Sequence, residues 1–286
     1  MKIGELFQKK KRVFSLEVFP PKKDGSIESI TSILGELSQL QPDFISVTYG
    51  AGGNAADTST CQLASMIKNE YKIEAMAHLT CVNSTKQDID QILEQLTRNH
   101  IENVLALRGD INPEVDKKDE FHYASELVEY IRAKGQFHIS GACYPEVHVE
   151  ARNLEEDILH LKQKVEKGVS HLITQLFFDN DLFYRLEEKV HGAQIYVPIE
   201  AGIMPVVNKK QIERMVTMCG ASIPQSLAKL LQRYEYDAIS LREAGIDYAI
   251  RQIDELLSHG VAGIHLYTMN NPYVAKKIKM ASAIEA

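Results

Sequence analysis

"FSLEVFPPKK", residues 14–23, is an apolar run closed by two prolines. Period-two reading puts Ser15 and Glu17 on one face of a strand and Phe14, Leu16 and Val18 on the other. The apolar set suits packing against helices. A carboxylate is left on the opposite face, close to the strand end. Pro20 and Pro21 read as a rigid stop that holds the loop after it.

Working outward, the same unit recurs to the end of the chain. Strands are expected at 13–19, 43–49, 73–79, 103–108, 138–144, 170–177, 195–200 and 262–268. Helical stretches fall near 26–40, 57–70, 86–99, 121–134, 152–168, 180–190 and 208–219. A longer helical region over 224–259 reads as two helices inserted before the last strand, and a final helix covers about 272–284. Strands alternating with helices mean βαβ units and a parallel sheet. Eight strands in 286 residues fit a (β/α)8 TIM barrel, with a doubly wound open sheet as the alternative. No linker or low-complexity tract divides the chain, so one domain over 1–286 is expected.

Composition narrows the function. Net charge is -7 with no long block of one sign, which argues against a general nucleic-acid or anionic-membrane binder. The start, "MKIGELFQKKKRV", is basic but lacks the apolar core of a signal peptide, and no run of about 18 apolar residues is present. The four cysteines form no CxxC pair and suit reduced thiols in a cytoplasmic protein.

Polar residues recur near the strand ends: Glu17, Thr48, His78, Arg108 with Asp110, Tyr144, Gln175, Glu200 and Tyr267. In a barrel they converge on the C-terminal mouth, where enzymes of this fold work. In "NVLALRGD", Leu105 and Leu107 are expected on the helix-facing side, opposite Arg108. "GAGGNA", 50–55, matches the dinucleotide fingerprint. It follows the second strand, and the third ends in His78 rather than an acidic ribose-binding residue, so a tight glycine turn is the preferred reading. G-x-S-x-G, H-E-x-x-H and the P-loop are absent, and the histidines lack metal-ligand spacing. No metal is expected. A ring of acids, an amide, hydroxyls and aromatics usually needs an organic cofactor for hard chemistry.

The motifs "LEVFPPK", "ISVTYGAGG", "AHLTCV", "LALRGD", "YPEVH", "ITQLFFD", "PIEAGIMPV" and "HLYTMN" together resemble the methylenetetrahydrofolate reductase family, in the family's order and over residues 14 to 271. The length resembles the bacterial catalytic form. The resemblance implies an FAD-containing barrel that reduces 5,10-methylenetetrahydrofolate to 5-methyltetrahydrofolate with NADH or NADPH. The implied kinetics are ping-pong, with both substrates using one flavin face. The product would supply methyl groups for methionine synthesis. Expected partners are these small molecules and further copies of the chain in a homo-oligomer, with no nucleic acid and no membrane.

Residue roles follow where the motifs match. Glu17 matches the catalytic glutamate that protonates folate N10 as the imidazolidine ring opens. A general acid must be poised near the working pH, and Phe19, Pro20 and a flavin ring would keep water from this one. Asp110 matches the aspartate that binds folate, stabilises the iminium cation and disfavours anionic reduced flavin. Gln175 matches the glutamine on the pterin. Thr48, His78, Arg108, Gly109, Ala142, Tyr144 and Ile173 match flavin contacts, and Tyr123 and Ala124 the adenosine side. His148, Asp157, His160 and Lys164 match the stretch around the ribityl, phosphate and ribose groups. Gln211 and Tyr267 match substrate positions. Two residues depart from the pattern. Asn271 stands where bacterial members carry an arginine for the folate glutamate tail, and Met215 where a phenylalanine stacks on substrate. Methionine packs on an aromatic face more loosely. The alternatives are a non-catalytic flavin or folate carrier and a TIM-barrel lyase; the lyase would need a Schiff-base lysine or metal ligands at the strand ends.

Overall fold

The computed structural model describes residues 1–21, 27–49, 58–110 and 118–285. The strands are Val13–Val18 (β1), Phe44–Val47 (β2), Glu74–Thr80 (β3), Asn103–Leu107 (β4), His138–Cys143 (β5), His171–Thr174 (β6), Ile199–Ile203 (β7) and Gly263–Tyr267 (β8). They pair in parallel in sequence order, and β1 pairs with β8 to close the barrel. The helices are Leu6–Lys9 (α1), Ile27–Ser38 (α2), Ser59–Asn69 (α3), Lys86–Arg98 (α4), Ala124–Lys134 (α5), Leu154–Lys167 (α6), Asn180–Gly192 (α7), Lys209–Cys219 (α8), Gln225–Arg233 (α9), Ala238–His259 (α10) and Pro272–Ala281 (α11). The (β/α)8 barrel and the paired insertion, α9 and α10, are as the sequence implies. "GAGGNA", 50–55, lies outside the described residues. No helix among them is long and apolar enough to cross a membrane.

The main core lies between sheet and helices. Phe14, Leu16 and Val18 of β1, Ile45 and Val47 of β2 and Val104 and Ala106 of β4 pack there against residues such as Leu34, Ile67, Leu93 and Ile278. Side-chain caps start several helices at the end of the βα loops: Thr85 in a capping box with Asp88, and Asn153, Asp179, Asn208 and Asn271; Asp237 caps α10 after the α9–α10 turn. A second cluster inside the barrel joins Val13, Phe44, Met76, Leu105 and Ile173 to Ile3 and Leu6. The N-terminal segment thus closes the barrel bottom. The Ile3 amide donates to Asn103 Oδ1 at 2.8 Å, and the Phe7 ring lies 4.8 Å from that of His171.

Two expectations are corrected. Leu105 and Leu107 face the lumen, because the register aligns Leu105 with His78 and Leu107 with Thr80. Strand β4 is apolar on both faces, so alternation carried no contrast to orient it. The seventh strand begins at Ile199, not at 195. Pro198 lacks the N–H a ladder needs and Tyr196 is exposed, so the preceding run stays outside the sheet. This moves Glu200 from the mouth to the second position of β7, fully buried in the lower lumen.

Helix α10 lies directly on the chain that leaves β7. A Cβ on Gly245 would fall 1.7 Å from the Val206 carbonyl oxygen. Gly245→Ala must push the helix away, and is expected to cost about 1–3 kcal/mol in urea unfolding, as overpacking does. An unchanged midpoint would contradict this packing.

Candidate active site

A cavity of about 500 Å³ opens at the C-terminal mouth. Of the expected ring, Glu17, Thr48, His78, Arg108, Asp110, Tyr144, Gln175 and Tyr267 line it, and Glu200 does not. Gly109, Ala142, His148, Ile173 and Met215 line it as well.

Glu17 is buried, with Oε2 3.5 Å from His78 Nε2 and 3.7 Å from His265 Nε2. Burial lowers the His78 pKa to about 4, so the ring is neutral at working pH. Its Nε2 has no hydrogen-bond partner. The backbone around Glu17 is clamped from β8 and the loop after it. Thr268 Oγ1 donates to the Glu17 carbonyl at 2.6 Å. Asn270 accepts from the Phe19 amide and donates to the Phe19 carbonyl, both at 2.9 Å. Met269 and Asn270 have φ of 50° and 54° to make that clasp, a conformation asparagine tolerates. Sequence reading credited the two prolines alone and missed Thr268 and Asn270. Two successive asparagines after a strand were the available signal.

Tyr267 donates to the Thr174 carbonyl at 2.6 Å, and burial holds its phenol well above the usual range. Gly202 makes room for it, since a Cβ there would lie 2.6 Å from the Tyr267 hydroxyl oxygen. Gln175 is anchored by its backbone N–H, which donates to the Cys143 carbonyl at 2.7 Å, and its side-chain Oε1 accepts from the Leu176 N–H. Tyr144 stands edge-on to His148 with centroids 4.7 Å apart. Gly109 has φ of 87° and turns the chain between Arg108 and Asp110; a Cβ there would meet Thr80. Arg108 forms a two-pronged ion pair with Glu150, which raises its pKa.

Arg108 also borders a second hollow of about 210 Å³, shared with Val82, Phe121, His122, Tyr123 and Glu150. Tyr123 is exposed there and Ala124 opens α5 next to it. The remaining expected residues lie outside both hollows. Asp157 Oδ2 accepts from the His148 amide at 2.9 Å, bracing the loop. Lys164 donates to the Ala142 carbonyl at 2.6 Å, and burial lowers its pKa. His160 is on the exposed face of α6. Gln211 is in the first turn of α8, and Asn271 is spent as the cap of α11 on the Val274 amide.

These features suit a flavin dinucleotide. An orphaned imidazole nitrogen and tyrosine and glutamine side chains line the main cavity, and an arginine joins it to a smaller hollow beside an exposed tyrosine.

A closed parallel barrel with an acid in a polar cavity at its C-terminal mouth is the architecture of (β/α)8-barrel enzymes. The family model for methylenetetrahydrofolate reductase matches residues 2–283, and the chain belongs to that family. It is 37% identical over 284 residues to "Methylenetetrahydrofolate reductase (NADH) 1" of Arabidopsis thaliana, covering 94% of this chain and 48% of that protein. It is 36% identical over 256 residues to the 5,10-methylenetetrahydrofolate reductase of Escherichia coli K12, covering 90% of this chain and 86% of that one. The chain therefore spans about half the length of its plant relative and most of the bacterial one. In fold it is similar to a Clostridium thermocellum protein whose structure is described as binding two copies of 5-methyl-5,6,7,8-tetrahydrofolic acid, with a TM-score of 0.63 at 16% identity over 98% of both chains.

The buried titratable groups predict a pH-dependent stability. Burial lowers His138 and His171 to about 3 and His78 to about 4, below the ordinary 6.5. Their contribution is full above pH 6.5 and is lost as pH falls toward 4 and 3, by up to about 1.4 kcal/mol per pH unit for each group. Burial raises Glu200 from 4.5 to about 8, so its contribution is full below pH 4.5 and lost as pH rises through 8. Urea unfolding at pH 5, 6.5 and 8 should show Glu200→Gln gaining stability over wild type as pH rises. A pH-independent difference would contradict this.

Proposed function

We propose that residues 1–286 form a single catalytic domain that reduces 5,10-methylenetetrahydrofolate to 5-methyltetrahydrofolate with FAD and NADH or NADPH. The observation that carries this reading is the buried Glu17 carboxylate in the same cavity as Asp110 and Gln175. Family membership supports it, and the plant relative's name makes NADH the first reductant to test.

His78, Tyr144, Arg108, Thr48 and Ala142 would hold the isoalloxazine and ribityl portions, and Tyr123 and Ala124 the adenosine end. Bound FAD supplies two-electron hydride chemistry. Glu17 delivers a proton to folate N10 as the C–N10 bond breaks, leaving a 5-iminium cation that takes up hydride. Phe19, with its backbone clasped by Asn270, limits water beside Glu17. Asp110 places a negative charge where the cation develops. Gln175 orients the pterin through its amide. Met215 offers an apolar contact to the rest of the substrate. The glutamate tail would lack an arginine partner, because Asn271 is committed to its helix.

A lyase using a Schiff base is disfavoured, since no lysine lines the described cavity. Purified protein should be yellow and be bleached by NADH under anaerobic conditions. Protein that neither binds FAD nor reduces it with NADH would refute the reading.

Two substitutions separate the roles. Glu17→Gln should retain flavin and its reduction by NADH yet lose folate turnover by at least about 10²-fold, as expected for loss of a general acid. Equal loss of both half-reactions would remove the acid role. Asp110→Asn should make bound flavin easier to reduce and weaken folate turnover; an unchanged midpoint potential would remove its electrostatic role.

A further inference from the structure

Below Glu17 lies a buried polar chain that the proposed reaction does not use. Ser15, Ser46, His171, Glu200 and His265 are all fully buried. Ser15 Oγ is 2.9 Å from Glu200 Oε1 and 2.6 Å from His265 Nδ1. The other ring nitrogen, Nε2, is 3.3 Å from Ser46 Oγ and 3.7 Å from Glu17 Oε2. We propose that Glu200 is a positioning residue for Glu17, acting through Ser15 to select the tautomer of His265 and so whether its Nε2, on the Glu17 side, carries a proton or a lone pair.

Ser15 has one hydroxyl proton and two partners. When Glu200 is a carboxylate it must accept, so Ser15 gives its proton to Glu200 and takes one from His265 Nδ1–H. Nε2 then turns a lone pair toward Glu17. When Glu200 is a carboxylic acid it can donate to Ser15, and Ser15 donates to an unprotonated Nδ1. The ring proton then sits on Nε2, which donates to Ser46 Oγ and lies 3.7 Å from Glu17 Oε2. One proton on Glu200 thus reverses every hydrogen bond in the chain without any side chain moving.

The surroundings support this. Glu200 faces Ser15 on β1, His171 on β6 and His265 on β8, with Asp43 before β2 as the further charge it feels. His171 Nε2 is 3.0 Å from Glu200 Oε2 but not aligned for a hydrogen bond. Its other nitrogen is held by Ser140 at 2.9 Å. Burial keeps His171 neutral and raises Glu200 to about 8, so the donor arrangement holds at neutral pH. Glu17 faces His78 on β3 and His265 and Tyr267 on β8. Of these only His265 is hydrogen-bonded to the Ser15–Glu200 pair.

The inference rests on Glu17 as the general acid, but its test does not require turnover. Nitrogen-15 NMR of the histidine rings, on purified protein without folate, reads the tautomer directly. Wild-type His265 should pass from Nε2–H to Nδ1–H as pH rises from 6 to 9. Glu200→Gln, whose amide can donate to Ser15 at any pH, should hold Nε2–H throughout. Ser15→Ala should make the tautomer independent of residue 200, so that its effect and that of Glu200→Gln are not additive. A wild-type ring that keeps one state, or an imidazolium signal, would overturn the proposal. In the folate half-reaction, the wild-type change of rate near pH 8 should be lost in Glu200→Gln; an unchanged profile, or a uniform loss at every pH, would also overturn it. An intact tautomer switch in protein without folate turnover would refute the proposed function and leave the network standing.

Discussion

Ser15 pairs with His265 and Glu17 with Tyr267, and that register closes the barrel. In a parallel barrel, residues aligned across neighbouring strands point to the same side, so closure fixes every lumen position together. It brings His265 under Glu17 and, through β7, sets Glu200 beside Gly263. A slip of one residue would turn Glu17 into the helix-facing core and leave a carboxylate buried among leucines. The hydrophobic set Phe14, Leu16 and Val18 excludes that slip, because it would have to enter the lumen in exchange.

The lumen has two regimes. At the bottom, Ile3, Leu6, Phe44, Met76 and Leu105 fill space with apolar bulk, with His138 and His171 held neutral among them. Above them lies the layer of Ser15, Glu200, Ser46 and His265, each with at least one partner. Buried polar groups without partners are costly, and satisfied ones specify a single arrangement. The Glu17 carboxylate sits on this layer, so its surroundings are set from below by buried groups as well as by the open cavity. Small residues make this arrangement possible: at Gly263 a Cβ would lie 2.9 Å from the Glu200 side chain, and at Gly202 it would collide with Tyr267.

Much of the site was legible in the sequence because strand-end polar residues mark a barrel mouth wherever the opposite face is clearly apolar. Glu17, Thr48 and His78 line the mouth, where that pattern places them. Glu200 read wrongly, because an apolar run before Pro198 resembled the start of its strand. Leu105 and Leu107 did too, because β4 is apolar on both faces. Asn271 reads as a missing cation from the motif alone. The structure adds that its side chain has another task, capping α11.

The sequence by itself determined the class of fold, the number of units and the acid on the first strand, since these depend on local period and on motifs contiguous in the chain. Only the tertiary structure decided what surrounds that acid. His78 comes from β3, His265 and Thr268 from the far end of the chain, and the Asn270 clasp from the loop after β8. Partners separated by most of the chain leave no periodic trace in it; their meeting is set by barrel register and by the direction of hydrogen bonds.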